Sequence, residues 1–162
     1  MSKGTESHTS RSTEICLEGI NAPWGEVLHL AVRSSYPKGH KTLGSCLQGF
    51  YYIASGRVRL SYLNEDGEEY GKLILGEGCL FNETPALAGT SWYTVFFCCL
   101  DAAEIWRFDA SLLEDEAFLA SHPHLAINLM RSIARKASIF FFIWRAHTAP
   151  HPCAAFVICS CN

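Results

Sequence analysis

The residues best placed to do chemistry lie in one run, Gly76-Glu77-Gly78-Cys79-Leu80-Phe81-Asn82-Glu83. A glycine-rich corner opening into a short polar segment leaves backbone N–H groups free to meet a small anion. The other candidates are thiols and imidazoles. Eight cysteines, at positions 16, 46, 79, 98, 99, 153, 159 and 161, lack the regular spacing of a secreted disulfide framework. Several sit in apolar strand sequence, where a reduced thiol packs as a small hydrophobe. Cys98 and Cys99 are adjacent in a strand, so their side chains point to opposite faces and do not chelate together. His147, His151, Cys153, Cys159 and Cys161 look superficially zinc-like, but they lack a paired C-x-x-C knuckle, and Pro150 and Pro152 break the helix there, so no metal site is assigned. No Ser-His-Asp set, P-loop or pair of catalytic carboxylates emerges from the spacing. The expected chemistry is binding, and the protein is not read as an enzyme.

Composition agrees. Hydrophobic residues make up 49% and charged residues 18% of 162, ample core material for one domain of ordinary size, with or without an appendage. A net charge of −3 gives no reason for the whole chain to wrap nucleic acid. The charge is uneven: no Asp or Glu follows Glu116, whereas Arg131, Arg135, Lys136 and Arg145 all do. Residues 1–12 are polar, rich in Ser and Thr, and lack the apolar core of a signal peptide, so a disordered tail is expected. The apolar run 139–144 is far too short to span a bilayer, and no membrane role is expected; the expected location is cytoplasmic.

The elements that must position the corner are short strands. Residues 26–33 read as a strand, followed by a turn at Pro37-Lys38-Gly39. Arg57, Arg59 and Ser61 alternate with Val58, Leu60 and Tyr62, the period of a half-buried strand. Residues 70–75, 93–100 and 103–108 are further strands, and Asp66-Gly67 is a strong hairpin signal between two of them. The register then changes. Asp109 or Ser111 can cap a helix over 112–120, and His122-Pro123 opens a long helix over 124–145. Leu125, Leu129, Ile133, Ala137, Phe140, Phe141 and Trp144 recur on it at helical spacing. Its second half is apolar nearly all round and needs a second covering surface, either a partner copy or the rest of a monomer; a homodimer is the preferred reading.

The order of residues 50–60, the Asp66-Gly67 turn and the 76–83 corner resembles the cyclic-nucleotide-binding β-roll of the Crp/Fnr transcription regulators. The likeness extends more loosely from Pro23 to Trp144. It implies a mainly β fold with α: a double-stranded β-helix, or jelly-roll-like β-roll, followed by a short helix and a long dimerisation helix. The chain would divide into a tail (1–13), the roll (14–121), the long helix (122–145) and an irregular tail (146–162).

The resemblance also implies a small-molecule effector held between roll and long helix. In the nucleotide-binding members a Gly-Glu pair meets the ribose; here Asn82 replaces the glycine and Glu83 matches the carboxylate. The Arg-Ser pair that holds the cyclic phosphate falls near Thr90-Ser91-Trp92, without the arginine. No Lys or Arg occurs between Lys72 and Arg107, so cyclic AMP is not the expected effector. Phe81, Thr84, Trp92 and Tyr93, with Phe140 and Phe141 from the helix, suit an apolar or aromatic ligand, as in the halophenol-sensing branch; alternatively these rings fill the core. Leu129, Ile133, Ala137, Phe140 and Trp144 would form the dimer contact.

Two further expectations concern cofactors and DNA. An iron–sulfur cluster would need more N-terminal cysteines than Cys16, whereas haem on His29, His40 or a cysteine is an alternative that the resemblance leaves open. A cupin-like metal enzyme is the catalytic alternative; it needs a histidine pair and a carboxylate on adjacent strands, and the His-x-His here, His122-Pro123-His124, lies at a helix junction. Residues 39–50 are shorter than the usual loop of the family. The stretch 147–162 is too short for the helix-turn-helix reader of about 70 residues that follows the long helix in these regulators. DNA is thus a partner expected only of an intact full-length relative, and a truncated regulator and a stand-alone sensor are the two readings.

Overall fold

The computed structural model describes residues 14–44, 47–63, 69–89 and 95–148. Among these residues, nine strands form two sheets. The five-stranded sheet has the order β1 (Ile15–Leu17), β6 (Glu69–Leu75), β5 (Val58–Leu63), β8 (Val95–Cys99), β3 (Lys41–Leu43). The four-stranded sheet has the order β2 (Val32–Tyr36), β9 (Ala103–Phe108), β4 (Phe50–Ser55), β7 (Leu80–Phe81). All pairings are antiparallel except β1 with β6, which is parallel. The β-roll expected from the sequence is therefore present, with helices before, within and after it.

Residues 50–53 are apolar without a break because β4 is covered on both faces. Tyr51 and Ile53 point into the space between the sheets, with Val58, Leu60, Leu73, Leu75, Phe97 and Ile105. Phe50 and Tyr52 point the other way, into a second core with Trp24, Leu80, Phe108, Phe118, Leu125 and Leu129. Trp24 meets Phe50 edge-on at 5.3 Å and Phe108 at 5.7 Å, while Phe50 and Phe108 stack at 5.0 Å.

The expected strand over 26–33 is a correction. Residues Ala22–Leu30 form two 3-10 turns merged at a kink at Val27, and the strand β2 begins only at Val32. Pro23 presets the first turn, and spacing of three turns Trp24 and Val27 inward together, which an extended chain would place on opposite faces. The single helix expected over 112–120 is likewise two pieces, a 3-10 turn Ala110–Leu113 and helix α2 (Glu116–Ser121). Asp109 accepts from the Ser111 N–H at 3.0 Å, and the extended Asp115 accepts from the Phe118 N–H at 3.0 Å, so each carboxylate starts its own segment. Helix α3 runs Pro123–Thr148.

Strand alternation holds at Val58 and Leu60 and fails at Ser61, which is buried too, because the β5–β6 register shifts between Leu60 and Tyr62. The antiparallel β5–β6 pair is the expected hairpin; its Asp66-Gly67 turn lies outside the described residues. The strands β1 and β3, three residues each, were not signalled by any alternation.

Gly49 leads into β4 with φ +87°, and a Cβ there would stand 2.0 Å from the Phe108 carbonyl oxygen. Gly49→Ala is expected to destabilise the fold by about 3 kcal/mol, since left-handed strain and a backbone clash coincide; urea denaturation followed by tryptophan fluorescence checks it.

Candidate functional site

The corner following β6 is built by backbone first. Gly78, at φ +72°, and the peptide before it are held by the neighbouring strand and loop: Gly78 N–H donates to the Ile53 carbonyl at 2.9 Å, and Gly19 N–H to the Glu77 carbonyl at 2.9 Å. Asn82 then takes the left-handed conformation at φ 63°, the sole non-glycine residue among those described to do so. Its buried side chain donates to the Gly49 carbonyl at 2.8 Å, which offsets part of the strain. That turn starts helix α1 (Glu83–Ala88) and aims Glu83 inward.

Glu83 is buried and paired. Its carboxylate accepts from the Lys136 ammonium of α3, which also donates to the Leu80 carbonyl at 2.6 Å. The side chains are 4% and 7% exposed, so both charges are withdrawn from water and depend on each other. Two further α3 residues lie along the same line. Asn128 donates to the Ile20 carbonyl at 2.9 Å and accepts from the Asn21 amide at 2.9 Å; Ser132 donates to the Asn21 side-chain oxygen at 3.0 Å. Asn21, fully buried, also accepts from the Leu80 N–H at 3.0 Å.

Beside this junction the roll holds a small, partly open cavity of about 30 Å³. Tyr51 stacks on Phe81 at 5.0 Å and Phe81 leans on Phe97 at 4.8 Å, so aromatic rings fill most of the interior. The polar rim is Tyr36, His40 and Thr42; the His40 ring packs on Tyr36 at 4.7 Å with its Nε2 3.0 Å from the Thr42 hydroxyl. An open recess of about 550 Å³ lies between β1 and α3, bordered by Cys16, Arg135, Ile139 and Phe142.

The residues singled out from the sequence are thus dispersed. Phe81 lines the interior cavity, Asn82 shapes the corner and Glu83 faces α3, whereas Thr84 is exposed. Phe140 packs against the inter-sheet core, and Phe141 is 61% exposed. Thr90, Ser91, Trp92 and Tyr93 lie outside the described residues, and the Cys/His tail beyond Thr148 does as well. Of the residues expected at a dimer contact, Leu129 is buried in the chain's own second core and Ile133 packs against it, while Ala137 is exposed.

Sequence reasoning passed over Lys136, Asn128, Ser132 and Asn21. Lys136 was grouped with the basic residues of the C-terminal half; its signal was a polar line at i, i+4 and i+8 beside Leu125 and Leu129, which puts it on the buried face. Among the described residues, no group of three His, Cys, Asp or Glu stands close enough to hold a metal ion. Burial pushes the thiols of Cys79 and Cys99 upward, and Cys79 donates to the Leu17 carbonyl at 3.3 Å. No helix among the described residues is long and apolar enough to cross a membrane.

With this geometry in view, residues 43–117 match the family described as the cyclic nucleotide-binding domain. No curated protein matches the chain in sequence. Among solved structures, oxidized CprK in complex with o-chlorophenolacetic acid superposes with a TM-score of 0.66 at 11% identity, over 82% of this chain and 56% of that one. The Catabolite Activator Protein of Thermus thermophilus gives 0.62 at 25% identity, over 76% and 58%. A CooA mutant from Carboxydothermus hydrogenoformans gives 0.60 at 18% identity, over 80% and 81%. The likeness to Crp/Fnr regulators read from the sequence is therefore shown in the fold. The chain spans little more than half the length of the CprK and Catabolite Activator Protein chains.

Glu83→Leu leaves the Lys136 ammonium buried and uncompensated and is expected to cost about 3–5 kcal/mol, whereas Glu83→Leu with Lys136→Met costs much less because no charge is stranded. Urea denaturation of the two variants checks the difference. A second expectation concerns thiols: brief alkylation in native buffer labels exposed Cys16 well before Cys79 and Cys99, as read by peptide mass spectrometry.

Proposed function

We propose that this chain is the effector-sensing part of a Crp/Fnr-type transcription regulator. It takes a small apolar or aromatic molecule, not cyclic AMP, between β-roll and α3, and signals through a homodimer. One observation carries the reading: the corner and the long helix form a single buried contact through Glu83, Leu80 and Lys136, so a molecule entering at Phe81 or Glu83 must alter how α3 sits. A contact whose making or breaking by a ligand moves the long helix is what a sensor needs.

Two features support the choice of ligand. The rings of Tyr51, Phe81 and Phe97 pack on one another in the roll interior, and a planar apolar ligand entering there would take the place of those ring contacts. The Glu83 carboxylate is paired with Lys136, and no Lys or Arg lies between Lys72 and Arg107 to hold a cyclic phosphate. CprK, similar in fold, was solved with an aromatic acid bound. Phe140, together with residues 90–93, would complete the ligand's surroundings.

The dimer reading rests on the outward face of α3. Ile127, Met130, Ala134, Ala137 and Phe141 follow each other at alternating steps of three and four and are all exposed, Met130 by 62% and Phe141 by 61%. That is the seam spacing of a two-stranded coiled coil, and Trp144 continues it in sequence. The seam differs from the expected set in replacing Leu129, Ile133 and Phe140, which face the roll, with their outward neighbours.

A thermal-shift screen tests the ligand: stabilisation by aromatic acids with no response to cyclic AMP is expected, and the opposite pattern sinks the proposal. Sedimentation tests the dimer. Ala137→Glu places like charges against each other across the seam and is expected to raise the dimer dissociation constant by about tenfold or more, leaving the far-UV circular dichroism of the roll unchanged.

A further inference from the structure

Beside the seam of α3 runs a second exposed stripe. Arg131, Arg135, Ser138, Phe142 and Arg145 follow each other at steps of four and three and are all exposed, Phe142 by 63%. They lie between the seam and the face docked on the roll, on the flank of a dimer formed through the seam. None of the three arginines pairs with a carboxylate among the described residues, and α3 contains no Asp or Glu of its own. The stripe borders the open recess of about 550 Å³ between β1 and α3. Ile15, Leu17, Ile139 and Phe142 give that recess its apolar lining, and Arg135 and Ser138 its polar lining.

We propose that this recess and its arginine border dock an acidic amphipathic helix of another protein, with a large apolar side chain in the recess and carboxylates on Arg131, Arg135 and Arg145. The repeat of seven from Arg131 to Ser138 to Arg145, and from Arg135 to Phe142, is that of a helix laid along a helix. The arginines span about 21 Å of α3, or about four turns. Charge selects the partner. Uncompensated cations around an apolar recess attract a segment that brings both carboxylates and an apolar side chain, and they disfavour a second copy of α3, which brings only more cations. A nucleic-acid backbone would satisfy the arginines and leave the recess unfilled, because phosphates bring no apolar group. The recess shares no lining residue with the interior cavity, so this partner and an effector would occupy different places.

Fluorescence anisotropy with the full chain tests the docking site. The probe is a fluorescein-labelled peptide of repeated Leu-Glu-Glu-Leu-Ala-Glu-Asp, compared with the same peptide carrying Gln and Asn for Glu and Asp. The acidic peptide is expected to bind and the amide peptide not to, with affinity falling as salt rises. Arg131→Glu combined with Arg135→Glu is expected to weaken binding about tenfold or more, and to transfer it to a peptide with Lys at every acidic position. Phe142→Ser is expected to lower affinity at unchanged charge, and sedimentation to show the same oligomeric state for every variant, since these side chains lie off the seam. The proposal is overturned if the acidic peptide does not bind the wild type, or if either the paired charge reversal or Phe142→Ser leaves binding intact. A short DNA duplex that binds the wild type in preference to the acidic peptide overturns it as well, and assigns the stripe to nucleic acid.

Discussion

The constraint on which the rest depends is that β4, inside the four-stranded sheet, is buried on both faces. Phe50 and Tyr52 face the helices while Tyr51 and Ile53 face the other sheet, so neither side of β4 can carry solvent-facing polar groups. One face closes the roll. The other gives the 3-10 turns, α2 and α3 a common apolar floor, with Trp24 and Phe108 at its centre. Because β7 shares this sheet and leads directly into the corner, the floor that docks α3 also fixes where Glu83 points. Sheet, corner and helix are thus one mechanical unit.

Within that unit, apolar contact and polar contact do different jobs. Leu125 and Leu129 supply burial, which is tolerant of small rotations and shifts. Asn128, Ser132 and Lys136 supply direction, since each needs a partner at hydrogen-bond distance and a buried one left without a partner is costly. A helix docked by Leu alone could settle in several registers. This one has its axial position and rotation specified by groups on Ile20, Asn21, Leu80 and Glu83. Fixing one face toward the roll also fixes which face is left outward, and that is how Ile127, Met130, Ala134 and Ala137 come to lie together in solvent.

Much of the strand framework was legible because its residues obey local rules. Residues 103–108 are strand-forming and end where Asp109 caps a turn; Val58 and Leu60 mark the inner face of β5; the Gly-rich corner falls where Gly78 needs a positive φ. The misreadings occur where local signals compete. Around Trp24 an apolar run without clear alternation was read as extended, although Pro23 and spacing of three favour a turn. At 112–120 two acidic caps were merged into one helix, because a cap is visible in sequence but the break it implies upstream is not.

By itself the sequence determined the short strands, the corner and the existence of a long amphipathic helix, since turn chemistry and apolar periodicity act over a few residues, while the roll they build was implied by resemblance. It also determined the absence of a cation between Lys72 and Arg107. Only the tertiary structure decided the partner of Glu83, because Lys136 lies 53 residues away and on the chain reads as one more solvated cation. The same holds for the two faces of α3. A stripe of Leu, Ile, Ala and Phe at helical spacing is compatible with either orientation, and the choice is made by buried polar groups whose partners sit on other elements.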